Sequence, residues 1–198
     1  MLNSQFIRLN FVVACISILL SSVSAHANVS GFAVAAEWSG GYHENWGGMG
    51  NIIKYDISNG QTVGTSTLFE GKARFATISP DGNTVAFIKL NGTSYTSQGV
   101  NPSKICIIDA DGGTVEELVD VDDGYRGCVL DWPANEGNWL YYAVGPAGEK
   151  GVDTLYKINI VTKEKVKIFS INVLIWQLGL SADGRRVAVR PLWPDGKG

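Results

Sequence analysis

Beyond residue 30 the chain alternates short apolar runs with polar, glycine-rich turns, and no stretch carries a helical period. Three segments share one pattern of strand, polar turn, strand: RFATISPDGNTVAFI (74–88), GCVLDWPANEGNWLYYAV (127–144) and WQLGLSADGRRVAVR (176–190). Their turn glycines, Gly82, Gly137 and Gly184, lie 55 and 47 residues apart, while Pro80, Pro133 and Ala182 lie 53 and 49 apart. A second landmark repeats in phase. NIIKYDISNG (51–60), KICIIDADGG (104–113) and LYKINIVTKE (155–164) place Asp56, Asp109 and Asn159 at intervals of 53 and 50. Two landmarks with a common period near 51 define an internal repeat.

Within one period the pattern predicts four short strands, FATIS, TVAFIK, KICIID and TVEELVD, joined by turns rich in Gly, Asp, Asn and Pro. Runs such as ICII and VLIW are apolar on both faces, as a sheet requires when a neighbouring sheet covers each side. The expectation is an all-β fold of β-propeller blades, each of four antiparallel strands. GFAVAAEW (31–38), NIIKYDI and TSTLFEG supply the second, third and fourth strands of a first blade, whose innermost strand is expected from the other end of the ring.

Residues 1–27 read differently. Arg8 precedes an apolar run from Phe11 to Leu20, and small residues end at Ala25-His26-Ala27, the layout of a secretory signal peptide cleaved before Asn28. The apolar run is short for a membrane span, so no stable span is expected after cleavage. The expected destination is periplasmic or secreted. The remaining 171 residues (28–198) form one propeller domain, and 171 divided by 51 gives about 3.4 blades. Closed propellers have more, so the domain is expected to be incomplete at its C-terminus and part of a six- to eight-bladed ring.

Glycine (24 of 198) supports dense turns, and the net charge of −3, or −4 without Arg8, argues against nucleic acid as a partner. Cys106 and Cys128 remain after cleavage. Both lie in strand-like apolar runs, which favours two buried thiols, although export would permit a disulfide.

Ser79-Pro80-Asp81-Gly82 followed by Asn83-Thr84-Val85-Ala86-Phe87, with Ile107-Ile108-Asp109-Ala110-Asp111-Gly112-Gly113 downstream, resembles the WD-like repeat of TolB-type β-propellers. Ser181-Ala182-Asp183-Gly184 replaces the proline, and Trp132 to Gly137 stretches the turn and loses the aspartate. The resemblance implies a propeller, and related blades form the non-catalytic domain of prolyl-oligopeptidase-like enzymes and certain pectin-degrading lyases. In this strand order, the loops from second to third strands and from the fourth strand to the next blade share one face, commonly the ligand face.

That face would gather Trp38–Gly50, Lys89–Ser103 and Val144–Val152, together with Glu70–Arg74 and Asp120–Arg126. In the first loop Tyr42, His43 and Trp46 stand between glycines and supply stacking and hydrogen-bonding groups suited to a protein, peptide or glycan ligand. The alternative is that these aromatics pack on the blade edge. Arg74 and Arg126 precede equivalent inner strands and can bind an anion, or else pair with Glu70, Asp122 or Asp123. Catalytic motifs are not found. There is no Gly-x-Ser-x-Gly elbow, and one histidine follows the leader. Asp109-x-Asp111-Gly112 and Asp120-x-Asp122-Asp123-Gly124 resemble calcium loops without their terminal Glu, so no metal or cofactor is expected. The sequence therefore favours an exported, non-catalytic binding scaffold over the propeller portion of an exported hydrolase or polysaccharide lyase.

Overall fold

The computed structural model describes residues 30–37, 50–90, 100–124, 129–145 and 152–192. Every regular element among them is a strand: β1 (Gly31–Ala36), β2 (Gly50–Ser58), β3 (Gln61–Ile78), β4 (Thr84–Leu90), β5 (Val100–Asp109), β6 (Glu116–Gly124), β7 (Val129–Asp131), β8 (Trp139–Val144), β9 (Asp153–Asn159), β10 (Lys165–Ile171), β11 (Leu174–Leu180) and β12 (Val187–Leu192). They form a six-stranded sheet in the order β1 to β6, a four-stranded sheet β7 to β10, and a two-stranded sheet of β11 and β12, each joining sequential neighbours. The leader, Tyr42, His43, Trp46, Arg126 and Cys128 lie outside the described residues.

The described chain divides into two compact bodies, of which the smaller holds residues 30–33 and 55–65. Its hairpin closes through Asn59 and Gly60, both at positive φ (51° and 73°), the two-residue geometry whose twist matches a strand pair. The larger body holds the remaining described residues, from 34 to 54 and from 66 onward.

The two sequence landmarks are two kinds of turn. In the first, Ser79 and Ser181 open hairpins of matching construction. Gly82 N–H donates to Ser79 O at 2.9 Å, and Gly184 N–H to Ser181 O at 2.8 Å, with both glycines at positive φ (76° and 65°). Each serine hydroxyl donates to the following aspartate, Ser79 to Asp81 and Ser181 to Asp183, both at 2.6 Å. Each aspartate also accepts a backbone N–H two residues on, from Asn83 or Arg185 at 3.1 Å. The geometry survives the exchange of Pro80 for Ala182, so the serine and aspartate fix the turn more than the proline does. The second landmark keeps its phase through backbone conformation. Four residues beyond Asp109 and Asn159 stand Gly113 (φ 128°) and Lys163 (φ 63°). Asn159 pays for the non-glycine turn by accepting the Val161 and Thr162 N–H groups, each at 3.0 Å.

Alternation then decides which side chains face which sheet. On the central β7–β10 sheet, Leu140, Tyr142 and Ile158 point to one side and meet Ala86, Ile88, Leu90, Ile105, Ile107 and Val121 of the preceding sheet. Tyr141, Ala143 and Leu155 point to the other and meet Ile175 of β11, with Leu178, Leu180, Val187 and Val189 around it. The runs that are apolar on both faces are thus covered on both faces.

One expected loop is corrected. Residues 70–74, taken as a connection between blades, lie inside β3, which runs unbroken from Gln61 to Ile78. This strand pairs with β2 and with β4, so the fourth strand of one repeat and the first of the next are one element. The join leaves a bulge: Arg74 pairs with Ile88 and Thr77 with Ala86, so Phe75 and Ala76 oppose Phe87 alone. Phe75 takes up the irregularity at φ 49°, a strained setting for an aromatic residue, and packs against both apolar clusters.

Candidate functional site

Antiparallel order gives the sheets two unlike ends. At one end lie the turns just described, with connections of five residues between β3 and β4, six between β5 and β6, seven between β7 and β8, and five between β9 and β10. The opposite end carries the three longest connections, of thirteen residues between Ala36 and Gly50, nine between Leu90 and Val100 and eight between Val144 and Asp153, beside short links of four residues between Gly124 and Val129 and two between Ile171 and Leu174. Long connections on a rigid scaffold are where binding groups concentrate.

At the hairpin end the polar groups are occupied by one another. Trp132 Nε1 donates to Gly137 O at 2.8 Å, and Tyr141 donates its hydroxyl proton to Glu136 at 3.0 Å. Burial and the adjacent Glu136 carboxylate push the Tyr141 phenol up to about 12. Lys157 approaches Glu136 at 3.7 Å and lies 4.5 Å from the Trp139 ring centre. Asp111 of the candidate calcium loop is almost wholly exposed and pairs with Lys54 at 3.1 Å. Along the β4–β6 surface, Glu117 accepts from Lys104 and Lys89 at 2.5 and 3.0 Å, and these lysines hold its carboxyl below the usual range.

The other end rests on buried polar side chains. Of the five found among the described residues, Arg74, Ser103, Asp153 and Thr154 lie near it, and only Ser79 belongs to a hairpin. Ser103 donates to Val121 O at 3.3 Å, Thr154 and Ser170 share a hydrogen bond of 2.8 Å, and Asp153 Oδ2 accepts the Ile175 N–H. A Cβ on Gly145, at the foot of the β8–β9 connection, would come within 2.6 Å of Asp153 Oδ1, so any larger residue there displaces this carboxylate. Gly50 closes the first connection in the same way, since a Cβ would stand 2.2 Å from Glu37 O.

Of the five residues selected as ligand contacts, Arg74 alone is described. It lies in β3 at 3% exposure, with its guanidinium carbon 5.6 Å from the Phe75 ring centre. The structure does not bring it together with Tyr42, His43, Trp46 or Arg126, which lie outside the described residues. Cys106 is fully buried, and desolvation pushes its thiol up to about 11. Asp131 and Asp153 were not selected from sequence. Asp131 Oδ2 accepts the Leu180 N–H at 2.5 Å while Oδ1 accepts the Trp132 N–H at 2.8 Å, and burial raises its carboxyl above the ordinary value. Their one sequence signal is a charged residue inside an otherwise apolar strand pattern.

No protein-family model matches the chain, and neither does any curated protein. Solved structures do. A prolyl endopeptidase structure aligns at a TM-score of 0.50 and 16% identity, over 83% of this chain and 26% of that one. A structure described as a putative TolB from Agrobacterium tumefaciens aligns at 0.48 and 17%, over 80% and 54%. An oligogalacturonate lyase in complex with manganese aligns at 0.44 and 16%, over 68% and 34%. The chain therefore spans between about a quarter and about half the length of these structures. At such identities the likeness concerns fold alone. The repeated antiparallel sheets, with the likeness to the prolyl endopeptidase structure, define the class: the protein is all-β and built of β-propeller blades of four antiparallel strands.

Proposed function

We propose that this chain is the blade-bearing portion of an exported, TolB-like propeller that works as a non-catalytic binding scaffold. Its ligand, a protein, peptide or glycan, is received at the end carrying the long connections. The observation behind this reading is the asymmetry of the two ends: short turns whose polar groups satisfy one another, against long connections seated on Arg74, Ser103, Asp153 and Thr154. Tyr42, His43 and Trp46 in the 37–49 connection are the proposed contact residues, with Arg74 and Arg126 lending positive charge. Residues 1–27 direct the chain to the periplasm or the medium, and further blades complete a six- to eight-bladed ring.

The test is a binding screen of the mature chain against peptide and oligosaccharide panels, repeated with Trp46→Ala. Loss of about 1–3 kcal/mol of affinity at an unchanged melting temperature supports the scaffold reading, since buried aromatic anchors carry contributions of this size. Lowered melting with unchanged affinity places Trp46 in blade packing and removes it from the site. Turnover of a prolyl peptide or of an oligogalacturonate would overturn the non-catalytic assignment.

A further inference from the structure

Lys89, the last residue but one of β4, stands directly opposite Lys104 of β5, and Asp120 of β6 stands opposite Lys104 in turn. Directly opposed residues of antiparallel strands share one face of the sheet, so the two ammonium groups are neighbours, an arrangement that destabilises a sheet when nothing intervenes. Glu117 intervenes. It accepts from Lys89 at 3.0 Å and from Lys104 at 2.5 Å, while Asp120 lies 3.4 Å from Lys104. Three positions apart on a regular strand, Glu117 and Asp120 would face opposite ways. The register of β6 slips by one residue at Leu118, since Ile105 opposes Val119 but Cys106 opposes Glu117. That bulge brings the second carboxylate to the lysine side.

The next repeat has the same backbone and different chemistry. Across the 50-residue interval from Asp109 to Asn159, the counterparts of Lys104, Glu117 and Asp120 are Thr154, Lys167 and Ser170, and Val144, opposite Thr154, is that of Lys89. Pairing and bulge recur, with Ser170 opposite Thr154 and Ile168 unopposed. Val144 packs on the apolar cluster shared with the preceding sheet, and Thr154 and Ser170 share a hydrogen bond of 2.8 Å. A blade of this kind is thus built without the opposed lysines. Their place is the root of the connection between Leu90 and Val100, one of the long ones.

We propose that Lys89 and Lys104 form a carboxylate-binding pair, that Glu117 is its resident occupant, and that an acidic side chain of a peptide or protein partner takes the place of Glu117. This rests on the reading of the long-connection end as the binding end, and gives its ligand an acidic class. A glutamate is already seated across the two ammonium groups, so a carboxylate on a short flexible arm is what the pair fits. β6 is the outer strand of its sheet and Glu117 is exposed. Exposed ion pairs contribute little, so Glu117 gives way at small cost to a partner that brings further contacts. With Glu117 turned aside, the two lysines and Asp120 leave one net positive charge, which one carboxylate neutralises.

Binding of N-acetylated, C-amidated hexaglutamate to the full chain at low salt tests this, with hexaglutamine as the neutral control. Hexaglutamate should bind and hexaglutamine should not. Lys89→Gln and Lys104→Gln should each weaken hexaglutamate by roughly two- to fivefold, the factor an exposed ion pair represents, and Glu117→Gln should strengthen it by a similar factor. Lys165→Gln, the same change of charge on the next sheet, should leave its affinity unchanged. Lys89→Arg should retain binding. If a lysine variant does not fold, Glu117→Gln, which keeps both lysines, decides. The proposal is overturned if hexaglutamate does not bind, if hexaglutamine binds as well, or if the Lys89, Lys104 and Glu117 variants leave affinity unchanged. An oligouronate of equal charge that binds more tightly with the same lysine dependence overturns the peptide assignment. Affinity that falls with Trp46→Ala but not with the lysine variants overturns this pair alone and leaves the binding end standing.

Discussion

The β7–β10 sheet meets its two neighbours by different chemistry. Toward β4 and β5 it presents Leu140, Tyr142 and Ile158, closed over an apolar cluster in which Ile88 and Ile105 have no exposure. Lys165 covers this side from above, 4.3 Å from the centre of the Tyr156 ring, which stacks on Tyr142 at 5.4 Å. Toward β11 the same sheet presents Tyr141, Ala143 and Leu155, and adds carboxylates that engage backbone N–H groups. The first interface is set by close packing, where a change of one methylene is felt; the second adds donor and acceptor geometry, which holds only over a narrow range of distance and angle.

The largest expected effect attacks the apolar interface. Leu140→Ala should remove about 2–5 kcal/mol of stability, the span for deleting a buried leucine side chain, and should do so for the whole larger body in a chemical denaturation curve. A loss confined to β11 and β12 would reverse the ranking of the two interfaces.

Glycine substitutions sharpen the comparison at the second interface. Gly137 and Gly184 are both at positive φ (56° and 65°), so alanine at either costs about 1–2 kcal/mol in backbone strain. Space differs. A Cβ at 137 meets nothing within 4 Å, whereas one at 184 meets the Tyr141 hydroxyl and the Glu136 carboxylate at 2.8 and 2.9 Å. Gly184→Ala should therefore lower the melting temperature more than Gly137→Ala, and equal shifts would show that the two hairpins are not in close contact in solution.

Acid titration separates carboxylates of opposite behaviour. The hydrogen bonds from Ser79 and Ser181 hold Asp81 and Asp183 below the ordinary value, so their contribution is present above about pH 4 and is lost as pH falls through their depressed values. Burial raises Asp131, so its contribution is present below about pH 4 and is lost as pH rises through its elevated value. Asp183→Asn should flatten the acid limb of stability against pH, and Asp131→Asn should flatten the limb above it. The same slope in both variants would contradict the burial of Asp131.

The smallest effect concerns Cys106. With no exposure and a thiol pushed up to about 11, it should stay unmodified by a thiol reagent in folded residues 28–198 carrying Cys128→Ser, and react on unfolding. Prompt modification under native conditions would show that β5 opens from its neighbours without global unfolding.

Sequence alone determined the strand pattern, the period and the turns, because each is a local property. Ser79, Asp81 and Gly82 contact one another within a few residues, and positive φ selects glycine wherever it occurs. The apolar core positions were legible for the same reason: period-2 runs must be covered. The loop expected at 70–74 was not legible as strand, since its pairing partner at 88–89 and the bulge at Phe75 are set by the neighbouring repeat. Nor were the roles of Asp131 and Asp153. Asp131 reaches an N–H 49 residues onward and Asp153 one 22 residues onward, and only folding brings a carboxylate to a backbone donor with no local signature. The sequence shows that a charge interrupts an apolar strand; the tertiary structure decides what that charge holds, because the desolvation cost of burying it is met by a partner from another sheet.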